Sequence, residues 1–275
     1  MGRIADQPGK AVLDGRIVPL DQAFLAITDD GAARGDGVFE TIGVWGGRAF
    51  RVADHLRRLA ASSLALRLPA PDAEGIATDI GTLLAGAGQA DGLLRIYVTG
   101  SGARVVTLSD PPIRPPIRHL VPQPAPWIRP LGAYGPAGAK TMSYAHNMVA
   151  ARAARAAGGD DALLVATEGW VLEGPTFAVL WVAGGIVRMP AIDLGIVDSI
   201  TLRTLRESAP WPVEQGRWTV DDLAGASELM ICSAGRDVEA VHRVGDLRLG
   251  GSTPIRDKLS DSLRAARLGA YPCGG

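Results

Sequence analysis

Only three lysines occur in this 275-residue chain, so arginine supplies nearly all of its 28 basic side chains. Lys10 lies in the N-terminal tail and Lys258 in a charged C-terminal segment. Lys140 lies in GPAGAKTMSYAHN, ringed by Gly138, Ala139 and Ser143. A neutral ε-amine can condense with an aldehyde or shuttle a proton. Desolvation favours that neutral form, and small neighbours let a bulky ring approach. From the local string alone, an exposed turn lysine is the base case for Lys140, and other segments of the chain shift that reading. His55, His119, His146 and His242 have no i, i+4 pair and no cysteine companion, so no metal site is expected and His55 reads as a packed helix residue. Cys232 and Cys273 are too few for a disulfide framework.

The elements that must position these groups follow from pattern. AVLDGRIVPL reads as a hairpin with Asp14-Gly15 in a type I′ turn, and GVFETIGVW, Gly46-Gly47 and RAFRV as a second. Residues 53–66 and 73–86 have helical spacing, and GLLRIYVTG is a strand. Between Pro111 and Pro130, PPIRPPIRHLVPQPAPWIRP excludes a regular helix or an inner strand. It reads as an extended connector, dividing an N-terminal α+β domain (1–112) from a C-terminal domain (127–275), with 113–126 between them. Beyond it, YAHNMVAARAARAAGG is an Ala-rich helix. DALLVAT, WVLEG, FAVLWVAG, GIVRMP and ELMICSAG read as strands, and DSITLRTLRES as a helix capped by Asp198 or Ser199.

Composition narrows the class. With 47% hydrophobic and 21% charged residues the chain reads as an ordinary globular protein. A net charge of −1 gives no electrostatic reason to expect nucleic acid or an anionic membrane as partner. No apolar run approaches the roughly 20 residues of a membrane helix. The N-terminal residues show no apolar signal region. Sparse cysteine points to a reducing, cytoplasmic home.

In order along the chain, GDGVFE (35–40), HLRRL (55–59), AKTMSY (139–144), GGDDALLV (158–165), VLEGPT (171–176), SITLRTL (199–205) and ELMICSAG (228–235) resemble class IV pyridoxal-phosphate enzymes. These are the branched-chain and D-amino acid aminotransferases and aminodeoxychorismate lyase. The resemblance implies an α+β, two-domain fold type IV enzyme. It would have a small α/β sandwich N-terminal domain and a larger pseudo-barrel C-terminal domain, and would form a homodimer. Pyridoxal 5′-phosphate is the implied cofactor, held by Lys140 as an internal aldimine. Lys140 would then move the proton between the substrate Cα and the cofactor. Glu173 corresponds to the acidic partner of the pyridine nitrogen, keeping that nitrogen protonated. Arg58 corresponds to a phosphate ligand, its guanidinium fork suiting phosphate oxygens; of Arg57 and Arg58, one is expected to face solvent. Ile200 and Thr201 would add amides at a helix start, where the dipole favours an anion, with Ser233 and Ala234 in a small turn against the same phosphate. Tyr144 stands one residue short of a tyrosine that branched-chain enzymes use at the cofactor's phenolic oxygen; it either substitutes for it or packs.

The chain also departs from the family pattern. Ala178 stands where relatives commonly have Asn, and S-I-T-L replaces G-I-T-R, with Leu202 for the basic residue. VTGSGARVV lacks the R-x-H of many D-amino acid enzymes. Arg34, Arg95 and Arg236 are the candidates for a substrate carboxylate, or else are solvent-facing arginines. Glu40 stands where some lyases have threonine, which tips the reading toward transamination. The expected function is ping-pong transfer of an amino group between a D-amino acid, or an R-amine, and a 2-oxo acid. The alternative is 4-amino-4-deoxychorismate lyase, releasing 4-aminobenzoate and pyruvate. Ala178 and Leu202 also leave open a non-catalytic scaffold.

Overall fold

Asp14 and Gly15 take φ of 47° and 80°, the left-handed pair that a type I′ turn requires, and close β1 (Gly9–Leu13) onto β2 (Arg16–Pro19). The computed structural model describes residues 9–125, 138–208, 211–250 and 253–269. Cys273 and the part of the proline-rich segment beyond Ala125 lie outside them. Two compact units emerge: Met1–Ile113 with Ala139–Tyr144, and Arg114–Gly138 with Ala145–Gly275.

In the first unit, β3 (Gly37–Trp45), β4 (Arg48–Ala49), β5 (Gly92–Thr99) and β6 (Arg104–Ser109) join the hairpin in one antiparallel sheet. Its order is β2-β1-β6-β5-β3-β4. A five-residue helix, α1 (Asp30–Arg34), precedes β3, and the paired helices α2 (Val52–Ala65) and α3 (Ala73–Ala85) follow β4. Strand alternation sorts the side chains. Val38, Ile42, Val44, Leu94, Ile96 and Val106 pack with Leu59, Ile76, Ile80 and Leu83 of the helices in one core. Phe39 and Thr41, opposite Tyr97 and Arg95, occupy the other face.

The Lys140 segment joins this unit by long-range pairing. Thr141 bridges Val38, the Phe39 amide donates to the Lys140 carbonyl at 3.1 Å, and the Met142 amide donates to the Gly37 carbonyl at 2.8 Å. A Cβ at position 37 would lie 2.6 Å from Met142 Sδ and 2.7 Å from the Val98 carbonyl, so the close approach requires the second glycine of GDG.

The second unit has helix, sheet, sheet and helix layers. Strands β7 (His119–Pro124), β8 (Asp161–Val165), β14 (Arg243–Val244) and β15 (Leu247–Arg248) make a four-stranded sheet. A five-stranded sheet is built from β9 (Ala178–Ala183), β10 (Ile186–Pro190), β11 (Val213–Gly216), β12 (Glu228–Ser233) and β13 (Arg236–Val241). Leu120, Leu163, Val179, Trp181, Leu229 and Ile231 fill the space between the sheets. Helix α4 (Ala145–Ala156) covers the four-stranded sheet through Ala150 and Ala154. Helices α5 (Ile200–Ser208) and α6 (Pro254–Arg267) cover the five-stranded one through Leu202, Leu205, Leu259 and Leu263.

Two sequence expectations are corrected here. The proline-rich segment holds β7, an inner strand paired in parallel with both β8 and β14. Strand β14 spans only two residues and pairs with His119 and Leu120. Pro122 and Pro124 share the parity of Leu120, whose carbonyl accepts from Gly245, so their missing N–H groups face the edge that β14 has already left. WVLEG forms no strand; Trp170 and Val171 make isolated bridges to Thr219 and Val165.

Cys232 is fully buried in β12, and burial pushes its thiol up to about 12. Since only the thiolate reacts, alkylation of the native protein followed by peptide mapping should leave Cys232 unlabelled until denaturant is added.

Candidate active site

In the first unit, both backbone groups of Lys140 are tied down. Its amide donates to Ser62 Oγ on α2 at 3.0 Å, and its carbonyl accepts from Phe39. The half-buried side chain crosses the free face of the sheet, with Nζ 4.1 Å from the Phe39 ring centroid and 3.5 Å from the Tyr144 hydroxyl. Tyr144 meets Phe39 edge-on at 5.1 Å, and Phe39 stacks on Tyr97 at 6.1 Å. An amine over an aromatic face is held electrostatically and kept partly dry. Arg95 shares this face, two residues from Tyr97 on β5, and has no hydrogen-bond or ion-pair partner among the described residues.

The other face carries a buried charge cluster. Arg58 Nε and Nη2 donate to the two oxygens of Glu40, each at 2.7 Å, and His55 Nδ1 lies 2.7 Å from Glu40 Oε2. Glu40 is wholly buried, which by itself opposes ionisation. The charge and hydrogen bonds of Arg58, aided by His55, override that and hold its carboxyl at about 2. Burial lowers the pKa of His55, only partly offset by Glu40. Arg57 is the solvent-facing member of the pair, 71% exposed and bound to Asp54, whereas Arg58 is 12% exposed.

The pH dependence follows from these directions. Below the ordinary histidine value of 6.5 the unfolded chain takes up a proton that folded His55 does not, so stability falls as pH drops. The contribution of Glu40 is full above 4.5 and fades as pH falls toward about 2. The urea midpoint should therefore decline between about pH 7.5 and 5.5, and His55→Asn should flatten that decline.

In the second unit, the amides and carbonyls of Leu164, Leu172 and Glu173 hold the VLEGPT segment beside β8. Asn147 of α4 donates to the Pro175 carbonyl at 3.0 Å. Glu173 is buried, and its carboxylate accepts from the Val197 amide at 3.2 and 3.3 Å. At the start of α5, Ser199 Oγ accepts from the Leu202 amide at 3.3 Å. The Ile200 and Thr201 amides donate to nothing among the described residues. Ser233 Oγ, at the end of β12, is buried without a partner among them. Ala234 follows it in the β12–β13 turn. Leu202 and Ala178, the two departures from the family pattern, both pack in the apolar core of the five-stranded sheet.

The carboxylate candidates separate. Arg34 is exposed and paired with Asp30. Arg236 donates to Glu239 at 2.9 and 3.1 Å and to the Pro115 carbonyl at 3.3 Å. Arg95 alone of the three shares a sheet face with the Lys140 amine. Sequence reasoning missed Phe39, Tyr97 and Ser62 around Lys140 and Asn147 beside the Glu173 loop. It also read His55 only as a packing residue. Helical spacing back from Arg58 would have pointed to His55, three residues earlier on α2.

The first unit thus presents an amine over an aromatic face, and the second, separately, a buried carboxylate and a helix start whose first amides meet no acceptor among the described residues. The chain belongs to the class IV aminotransferases, whose family model matches residues 37–244. It is 36% identical over 290 residues to the bifunctional aminodeoxychorismate lyase / D-amino acid transaminase of Mycobacterium tuberculosis, covering 92% of this chain and 97% of the relative. It superposes with a TM-score of 0.85 on a structure described as a hypothetical aminotransferase from M. tuberculosis in its PLP-bound form, at 28% identity over 96% of this chain and 100% of that one. A fold IV transaminase from Curtobacterium pusillum gives 0.83 at 30% identity, over 94% and 99%. The fold is type IV, the cofactor is pyridoxal phosphate, and the substrates are amino and keto acids. No helix among the described residues is long and apolar enough to cross a membrane.

Proposed function

We propose that this enzyme moves an amino group between a D-amino acid and a 2-oxo acid by a ping-pong route. The observation that carries the reading is Arg95, without a partner among the described residues, on the sheet face where the Lys140 amine lies over Phe39. A guanidinium there suits the carboxylate common to amino and keto acids. The 36% identical relative named as a D-amino acid transaminase supports the hand of the substrate.

The residues fit pyridoxal phosphate. Ser233 Oγ is a buried hydroxyl short of an acceptor, and the Ile200 and Thr201 amides open a nine-residue helix. In this reading they hold the phosphate with Arg58 and the Ala234 turn, while Tyr144 stands beside Lys140 to orient it. Pyridoxal phosphate supplies the aldehyde that accepts nitrogen and the electron-withdrawing ring. Lys140 Nζ would hold the cofactor and would take the proton from the substrate α-carbon. Glu173 keeps the proton on the ring nitrogen, Arg95 orients the carboxylate, and Phe39 and Tyr97 keep water from the amine.

Arg95→Leu should raise KM for D-alanine and for 2-oxoglutarate by about tenfold or more, with a smaller change in kcat. An unchanged KM for both would sink the assignment. A second reading, lyase action on aminodeoxychorismate, is favoured by the lyase half of the same relative's name. Formation of 4-aminobenzoate with no half-reaction toward D-alanine would replace the first reading with the second. Homodimerisation and a cytoplasmic home complete the proposal, tested by light scattering and by fractionation.

A further inference from the structure

Glu40 presents a difficulty for any role of Arg58 as an anion ligand. The fully buried carboxylate already grips the guanidinium at two points, neutralising much of its charge. It accepts from four donors: Arg58 Nε and Nη2, His55 Nδ1 at 2.7 Å and the Thr41 amide at 3.2 Å. An ionised carboxylate only accepts, so the hydrogen in the His55 contact sits on Nδ1, and the neutral tautomer of His55 is fixed.

The grip has a geometric result. Guanidinium is planar, and two parallel bonds along its Nε–Nη2 edge fix both its plane and its direction. A nearly buried arginine without a counter-charge would be costly before any phosphate arrives. With Glu40 in place, the side chain is charged and oriented beforehand, and anion binding has less freedom to remove.

We propose that Glu40 is a positioning residue that acts through Arg58 on the cofactor phosphate, with His55 holding Glu40 in turn. This rests on the reading of Arg58 as a phosphate ligand. The competing account is a buried ion pair that only stabilises the fold.

Titrating apoenzyme with pyridoxal phosphate and, separately, with pyridoxal distinguishes the two, because pyridoxal lacks the phosphate. Glu40→Gln puts an amide donor against Arg58 or His55. It should weaken pyridoxal phosphate binding by about 10- to 100-fold and leave pyridoxal binding within about twofold. Arg58→Ala should show the same selectivity, and the Glu40→Gln/Arg58→Ala double variant should bind no more weakly than Arg58→Ala. If Glu40→Gln does not fold, the histidine decides. His55→Leu, which removes the donor, should lose affinity for the phosphorylated form only, and His55→Asn, which restores a donor near Nδ1, should recover it.

Equal losses for both ligands, no loss for either, or additive effects of Glu40 and Arg58 would overturn the proposal. Arg58→Ala with unchanged selectivity would instead overturn the phosphate assignment itself, a separable result.

Discussion

Lys140→Ala is expected to lower kcat for transamination by at least about 10⁴-fold, because in the proposed function one ε-amine both holds the cofactor and moves the α-proton. The loss should not come from unfolding. The contacts that attach this segment to β3 and α2 are made by the backbone of residues 140–142, which alanine keeps. Removing the ammonium from the Phe39 face costs about 1 to 2 kcal/mol. Borohydride reduction and peptide mapping of the wild-type protein should find the vitamer on Lys140, and the variant should carry none. A label on Lys10 or Lys258 would defeat the assignment, as would appreciable turnover by the variant.

The second large effect is expected at Glu173. Glutamine there keeps the volume and an oxygen for the Val197 amide, so the loop should retain its shape. What disappears is the negative charge that, in the proposed function, keeps the ring nitrogen protonated. A fall in kcat of about 10²- to 10³-fold is expected, with substrate KM changing little. Glu173→Asp should recover part of the loss. If glutamine were tolerated with full activity, the buried carboxylate would have no electronic role.

What could be read from the chain depended on the range of the interaction. Turns were legible because φ is a local property: Asp14-Gly15 and Gly46-Gly47 both turn in the left-handed region. Helix α2 followed from apolar spacing, α4 from its run of alanines ahead of two glycines, and α5 from its capping residues. Strand β7 was not legible, because the tolerance for Pro122 and Pro124 depends on β14, more than a hundred residues later, ending after two residues. WVLEG has strand composition but meets only single partners.

The candidate site divides the same way. Lys140 stood out by its rarity and its small neighbours. That its segment pairs with β3, in the first unit, could not be seen from its place in the chain. Glu40, His55 and Arg58 were each visible, but their joining across a strand and a helix depends on the even face of β3 meeting α2. Arg95 became separable from Arg34 and Arg236 only when the partners of all three were known.

Leu202 bears on any attempt at consensus redesign. Placing an arginine at this position would insert a guanidinium among Leu180, Val187, Met189 and Leu205. A charge introduced at this one site would thus cost solubility and yield unless the surrounding hydrocarbon were redesigned with it.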